Sequence, residues 1–164
     1  MKYEVVKLRH LSGNKASIYS IWFEELNQTS YEIFINENRN AFKSEIKEIT
    51  SRLITIGKTV GAREQYFKTD EGIPGDGVCA LYDALGKELR LYCIRYGSLL
   101  LIIGGGGPKK VRKLQQNNKL QDENFFLRKL SAEITERIKN NEIWFSEDNM
   151  EFEGNLTFND QDDE

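Results

Sequence analysis

Histidine is nearly missing from this 164-residue chain, in which His10 is the only one. Zinc centres rich in imidazole and hydrolysis by a Ser/His/Asp triad both need more than that. His10 follows an expected edge strand and reads as a bystander. Cysteine is scarce as well. Cys79 and Cys93 are too few for a disulfide framework and lack metal-ligand spacing, and in the cytosol they are expected to remain thiols. No motif calls for a metal or a cofactor. No apolar run approaches the length of a bilayer span, and "MKYEVVKLRH" reads as a first strand rather than a signal peptide. A cytoplasmic protein without a membrane partner is the simplest expectation.

Charge is abundant but unevenly placed. The formal net charge is −3, yet from Ser146 onward eight acidic residues stand without one basic residue. Without those eight, 23 basic residues face 18 acidic ones, a body of about +5. Within it Lys109, Lys110, Arg112, Lys113 and Lys119 occupy residues 109 to 119 with no acid among them. Clustered cations of this kind gain affinity for polyanions by releasing counterions from phosphates; solvated surface runs look the same in sequence. The acidic end offers them an internal partner, and one hypothesis is that residues 147 to 164 fold back over the basic knot as an internal RNA mimic.

The length suits one domain with a sizeable core. "KYEVVKL" and "SIYSIWFEEL" have strand composition around the turn cluster "SGNKA", which predicts an opening hairpin. Phe42, Ile46, Ile49, Leu53 and Ile56 recur at four- and three-residue spacings and define one helical stripe. With "NENRN" as a break, the spacing predicts a short helix over about 30–37 and a longer one ending at Gly57 or Gly61. "KTDEGIPGDGV" is a surface loop by composition, its acids not spaced as a calcium loop requires. "VCALYDA", "LRLYCIRY" and "LLLIIG", separated by short turns, predict an antiparallel meander. If its first turn centres on Gly86-Lys87, Cys79 falls opposite Cys93. Leu91 and Cys93 then share one side, with Arg90, Tyr92 and Ile94 on the other. The last of these strands is apolar on both sides and should be central. A helical stripe over 122–140 follows, then "IWF" and a late strand in "MEFEGNLTF". The expected order is β-β-α-α-β-β-β-α-β, an α+β domain over residues 1–158, a helical hairpin packed on a twisted, mainly antiparallel sheet. Residues 159–164 are expected to form a disordered acidic tail.

"GGGGPKK" is neither a Walker A loop nor a dinucleotide fingerprint: no Ser or Thr follows the lysine, and the preceding strands form a meander. Its neighbours are more informative. Arg90, Arg95, Tyr82 and Tyr92 lie on the meander, and Lys109 and Lys110 follow the glycines. A concave sheet face carrying such side chains is equipped to cleave RNA without metal. The ribose 2′-OH is the nucleophile, cations stabilise the phosphorane, and a tyrosine or lysine of lowered pKa moves protons.

The run of helical hairpin, "ALYDALGKELRLYCIRYGSLLLIIGGGGPKK" and C-terminal helix resembles the RelE/ParE toxin superfamily, especially its phage-related RelE/HigB-like branch, over about residues 30 to 140. "LYDAL", Leu89-Arg90-Leu91-Tyr92, "LLLIIGGGG" and Lys109-Lys110 stand at the family's successive motifs. Asp83 and Ala84 replace its first arginine, and glycine stands where many members have histidine. The opening hairpin and the acidic tail are additions. The resemblance implies a RelE-like fold and the toxin component of a toxin–antitoxin system, cleaving mRNA on the ribosome and checked by a cognate antitoxin protein. Arg90, Lys109 and Lys110 carry over best as catalytic residues; the meander reading adds Tyr92 to them, and the cationic residues Arg95, Arg112, Lys113 and Lys119 are the candidates for binding RNA. A non-catalytic binding module for protein or nucleic acid and a gyrase-directed toxin are the alternatives.

Overall fold

The computed structural model describes residues 1–83, 86–110 and 114–160, the side chains of 114–117 excepted. Strands β1 (Lys2–Lys7) and β2 (Ser17–Phe23) form the opening hairpin, and the short β3 (Gln28–Thr29) pairs back onto β2. Helix α1 (Ser30–Asn38) starts at a reciprocal cap: the Glu32 amide donates to Thr29 Oγ1 and the Thr29 amide to Glu32 Oε1. Helix α2 (Lys43–Thr55) carries the expected stripe, with Ile46, Ile49 and Leu53 buried. It unwinds through a π turn over Ile56–Val60 and stops at Gly61, whose φ of 86° suits a residue without Cβ. A short β4 (Phe67–Lys68) precedes the meander of β5 (Val78–Leu81), β6 (Leu89–Tyr96) and β7 (Leu100–Pro108). Helix α3 (Leu114–Lys139) leads to β8 (Ile143–Phe145), β9 (Phe152–Gly154) and β10 (Thr157–Asn159).

The main sheet runs β10-β1-β2-β7-β6-β5-β4, with β3 beside β2. It is antiparallel except where β2 and β7 pair in parallel. As the apolar run implies, β7 is central, with Leu100 to Ile103 fully buried. Cys79 stands opposite Cys93 as the turn predicts, and both are free thiols. Tyr31, Phe34, Ile46 and Leu53 of α1 and α2 cover Leu91, Cys93, Leu101 and Ile103 on one face. Leu127, Leu130 and Ile134 of α3 cover Tyr92, Ile94, Leu100 and Ile102 on the other. The chain is a small single domain of mixed α/β content with helices on both faces of a mainly antiparallel sheet.

Several expectations need correction. Strand β1 is not an edge, because β10 closes its outer side. The opening hairpin forms as expected and lies within the main sheet, β2 between β1 and β7. Helix α3 starts at Leu114 rather than near 122; Leu120 carries its apolar stripe backward among polar neighbours that hide it. The late strand is two strands. Gly154, at φ 104°, turns the chain so that β9 pairs with β8 and β10 with β1. Asn159 closes β10 and the Asp160 amide donates to the Met1 carbonyl, so these two residues, grouped with the acidic tail by composition, belong to the sheet. Residues 161–164 lie outside the described residues.

The glycine run belongs to β7 itself. A β-bulge falls here, with Leu91 opposite Gly106 but Cys93 opposite Ile103. A Cβ on Gly106 would stand 1.8 Å from the Arg90 carbonyl oxygen, and one on Gly104 would stand 2.6 Å from Leu127 Cδ1. The glycines therefore let β6 and α3 close onto the central strand. They form a packing seat, and no phosphate cradle is needed to explain them.

Candidate nucleic-acid interface

Strand alternation decides which of the expected site residues meet. Arg90 and Tyr92 share the α3 face of β6, while Arg95, five residues on, projects to the α2 face about 17 Å along the strand. Both faces are covered by helices, so the open concave face expected from the meander does not form. Arg95 Nε donates to the Ala62 carbonyl at 2.6 Å, which fixes it away from Arg90 and Lys109. Lys119 lies closer, its stem beside Gly107, which pairs with Arg90, but its ammonium turns to two carboxylates. It sits on α3, its ammonium 2.6 Å from Glu123 and 3.2 Å from Glu37. Burial alone would lower its pKa, but the two carboxylates raise it. Arg112 and Lys113 lie outside the described residues.

What does assemble is a corner at the open end of the meander. Lys68 arrives from β4, Arg90 from β6 and Lys109 from the end of β7, and Asp83, just past β5, stands among them. Lys109 Nζ donates to Asp83 Oδ2, and Lys68 Nζ lies 3.8 Å from Oδ1. The Asp83 side chain is 7% exposed against 35% for Lys68 and 26% for Lys109, which places the carboxylate beneath a partly open rim of cations. Burial pushes the Asp83 pKa up, but Lys109, Lys68 and Arg90 outweigh it and bring it below its ordinary value. Lys110, next in sequence, is exposed.

The 69–77 loop completes the corner from the α3 side. Arg90 Nη1 lies 3.9 Å from Glu71 Oε1. Asn124 Nδ2 donates to the Glu71 carbonyl and Ser131 Oγ to the Asp76 carbonyl, tying the loop to α3 at two points. The Asp76 carboxylate accepts from the amides of Ile73 and Val78 and so shapes the loop's own turn. Lys68, Glu71 and Asp83 were missed as site residues in the sequence. Asp83, an acid where the RelE/ParE resemblance leads one to expect an arginine, was the visible signal for one of them.

Tyr92 does not have the character expected of a proton carrier. It is 5% exposed, and burial first, then the Glu71 charge, raises its pKa against a lowering hydrogen bond with Arg90. It stands beside the Arg90 guanidinium, within hydrogen-bond reach. The acidic end does not cover the basic knot among the described residues. Glu151 pairs with Lys7, Asp160 with Lys129, and Glu153 accepts from Trp144 Nε1. The reason is placement: Phe152 packs on Tyr19 and Tyr96, anchoring the β8–β9 hairpin at the far end of β6 from Arg90.

Among the described residues no helix is long and apolar enough to cross a membrane. Set against protein-family models, curated proteins and solved structures, the chain matches none of them.

Proposed function

We propose that this chain is a RelE-like protein of the toxin–antitoxin type that acts on RNA, taking the RNA backbone at the Lys68–Arg90–Lys109 corner. The convergence of three cations from three strands on one point, with exposed Lys110 beside them, carries the reading. The order of helical hairpin, meander and C-terminal helix supports it. Arginine offers a planar fork to phosphate oxygens and lysine a movable point charge, so the corner suits a polyanion backbone. If the bound RNA is mRNA on the ribosome, the 2′-OH supplies the nucleophile, and Arg90 and Lys109 stabilise the charge that builds on phosphorus.

Binding without cleavage is the second reading, favoured by the burial and raised pKa of Tyr92. It leaves the corner without the expected proton carrier. Inducible expression with primer extension across translated mRNA separates the two. Growth arrest with new mRNA 5′ ends, both lost in a folded Arg90→Ala variant and relieved by a co-expressed antitoxin, supports the toxin. Salt-sensitive RNA binding without new ends supports the binding module. A DNA-damage response without RNA binding would redirect the reading to gyrase.

A further inference from the structure

Lys68 and Lys109 of the corner already hold an anion that belongs to the chain, Asp83, and the charge of Arg90 acts on it at longer range. We propose that Asp83 occupies the place that an RNA phosphodiester takes on binding, so that RNA engages by exchanging one monoanion for another. The inference rests on the reading of this corner as an RNA site. A carboxylate and a phosphodiester each carry one negative charge and two terminal oxygens, so the exchange leaves the charge of the corner unaltered. A terminal phosphate, which approaches two charges at neutral pH, lacks that match.

The bonding around Asp83 shows room for a better-fitting acceptor. Among the described residues, neither the buried Asp83 Oδ1 nor the buried Arg90 Nε has a hydrogen-bond partner. The Lys68 ammonium, at 3.8 Å from Oδ1, and Arg90 Nη1, at 3.9 Å from Glu71, lie within ion-pair reach but beyond hydrogen-bond length. Of the three cations, only Lys109 donates a hydrogen bond to Asp83. Lysine has three donors and arginine five, so the cations are neutralised while much of their donor capacity goes unused by this carboxylate. A phosphodiester entering over the rim uses those donors, and Asp83 swings out. Asp83 thus acts as a built-in competitor that lowers the apparent affinity by the fraction of time it holds the site.

The test is binding of a fluorescein-labelled single-stranded 12-nucleotide RNA to the full chain, titrated across salt. Asp83→Asn, nearly isosteric, is expected to bind at least tenfold tighter than the parent chain. Its salt dependence should be steeper, by up to about 0.7 in log–log slope, because in the parent chain the displaced carboxylate takes up a cation that offsets part of the counterion release. Adding Lys109→Met to Asp83→Asn should erase the gain. Glu136→Gln, an equal charge change on the exposed side of α3, should alter affinity less than twofold. Parent and Asp83→Asn chains binding equally well would overturn the exchange while leaving the RNA reading in place. Binding by neither at low salt would overturn that reading itself. If Asp83→Asn does not fold, the parent chain labelled at aspartate 13Cγ decides: the Asp83 signal shifts on adding the 12-mer if exchange occurs, and an unmoved signal in the bound protein rejects it.

Discussion

At the scale of single residues, burial sets the chemistry that each candidate group retains. Cys79 is buried and its thiol is pushed up to about 12 by desolvation, and that of Cys93 is also raised well above its ordinary value. Both should resist alkylation by iodoacetamide at pH 8 in the folded protein and react together on unfolding; fast labelling of either in native buffer would contradict this. Asp83 gives a pH signature of opposite sign. Its folded pKa is depressed below the usual value of about 4, so the unfolded chain takes up the proton first. Its stabilising contribution is full above that value and is lost as pH falls through the folded pKa. The Tm gap between the parent chain and Asp83→Asn should be widest near pH 6 and close as pH drops below about 4. A gap constant from pH 6 to pH 3 would sink the assignment. Arg90, Tyr92 and Lys109 were readable as neighbours because strand period and turn placement fix them. Their partners Glu71 and Asp83 were not. Which carboxylate meets which cation depends on how the 69–77 loop docks on α3, and no local pattern encodes that.

At the scale of elements, the glycine run makes a graded prediction. A Cβ on Gly107 meets its nearest atom, Lys119 Cγ, at an ordinary 3.5 Å; one on Gly105 runs into the end of the Glu123 side chain at 2.4 Å; one on Gly106 strikes the β6 backbone at 1.8 Å. Gly107→Ala should therefore be neutral or stabilising by about 0.5 kcal/mol. Gly105→Ala should cost about 1–2 kcal/mol as Glu123 moves aside, and Gly106→Ala should cost more than about 3 kcal/mol or prevent folding. Urea unfolding of the three variants tests the order, and equal costs would mean that the bulge is not the reason for the run. The helical stripe of α2 and the central place of β7 were legible because burial on one side or on both leaves a period in sequence. The bulge, the early start of α3 and the division of the late strand were not. Each follows from contacts between elements distant in sequence.

At the scale of the whole molecule, the two ends of the chain close the sheet together. Strand β10 pairs with β1, Phe158 stacks on Tyr3, and the Arg137 guanidinium lies 4.0 Å over the Phe158 ring while donating to the carbonyls of Asn155 and Thr157. Arg137→Ala should destabilise by about 2 kcal/mol through the lost hydrogen bonds and cation–π contact. Unfolding within 0.5 kcal/mol of the parent chain, roughly the usual surface effect, would show that this end closes without it. The same long-range closure places the β8–β9 hairpin and its acids at one end of β6, at Tyr96, and the cationic corner at the other, at Arg90, about 20 Å apart along the strand. The acids of that hairpin leave the corner's cations to Asp83 and Glu71, and RNA binding at that corner is the central claim. Its most direct measurement is the salt dependence of RNA binding by the parent chain, Lys68→Met and Arg90→Met. Each variant should bind more weakly, with a log–log slope shallower by about 0.7. Affinity and slope unchanged in both folded variants would contradict it.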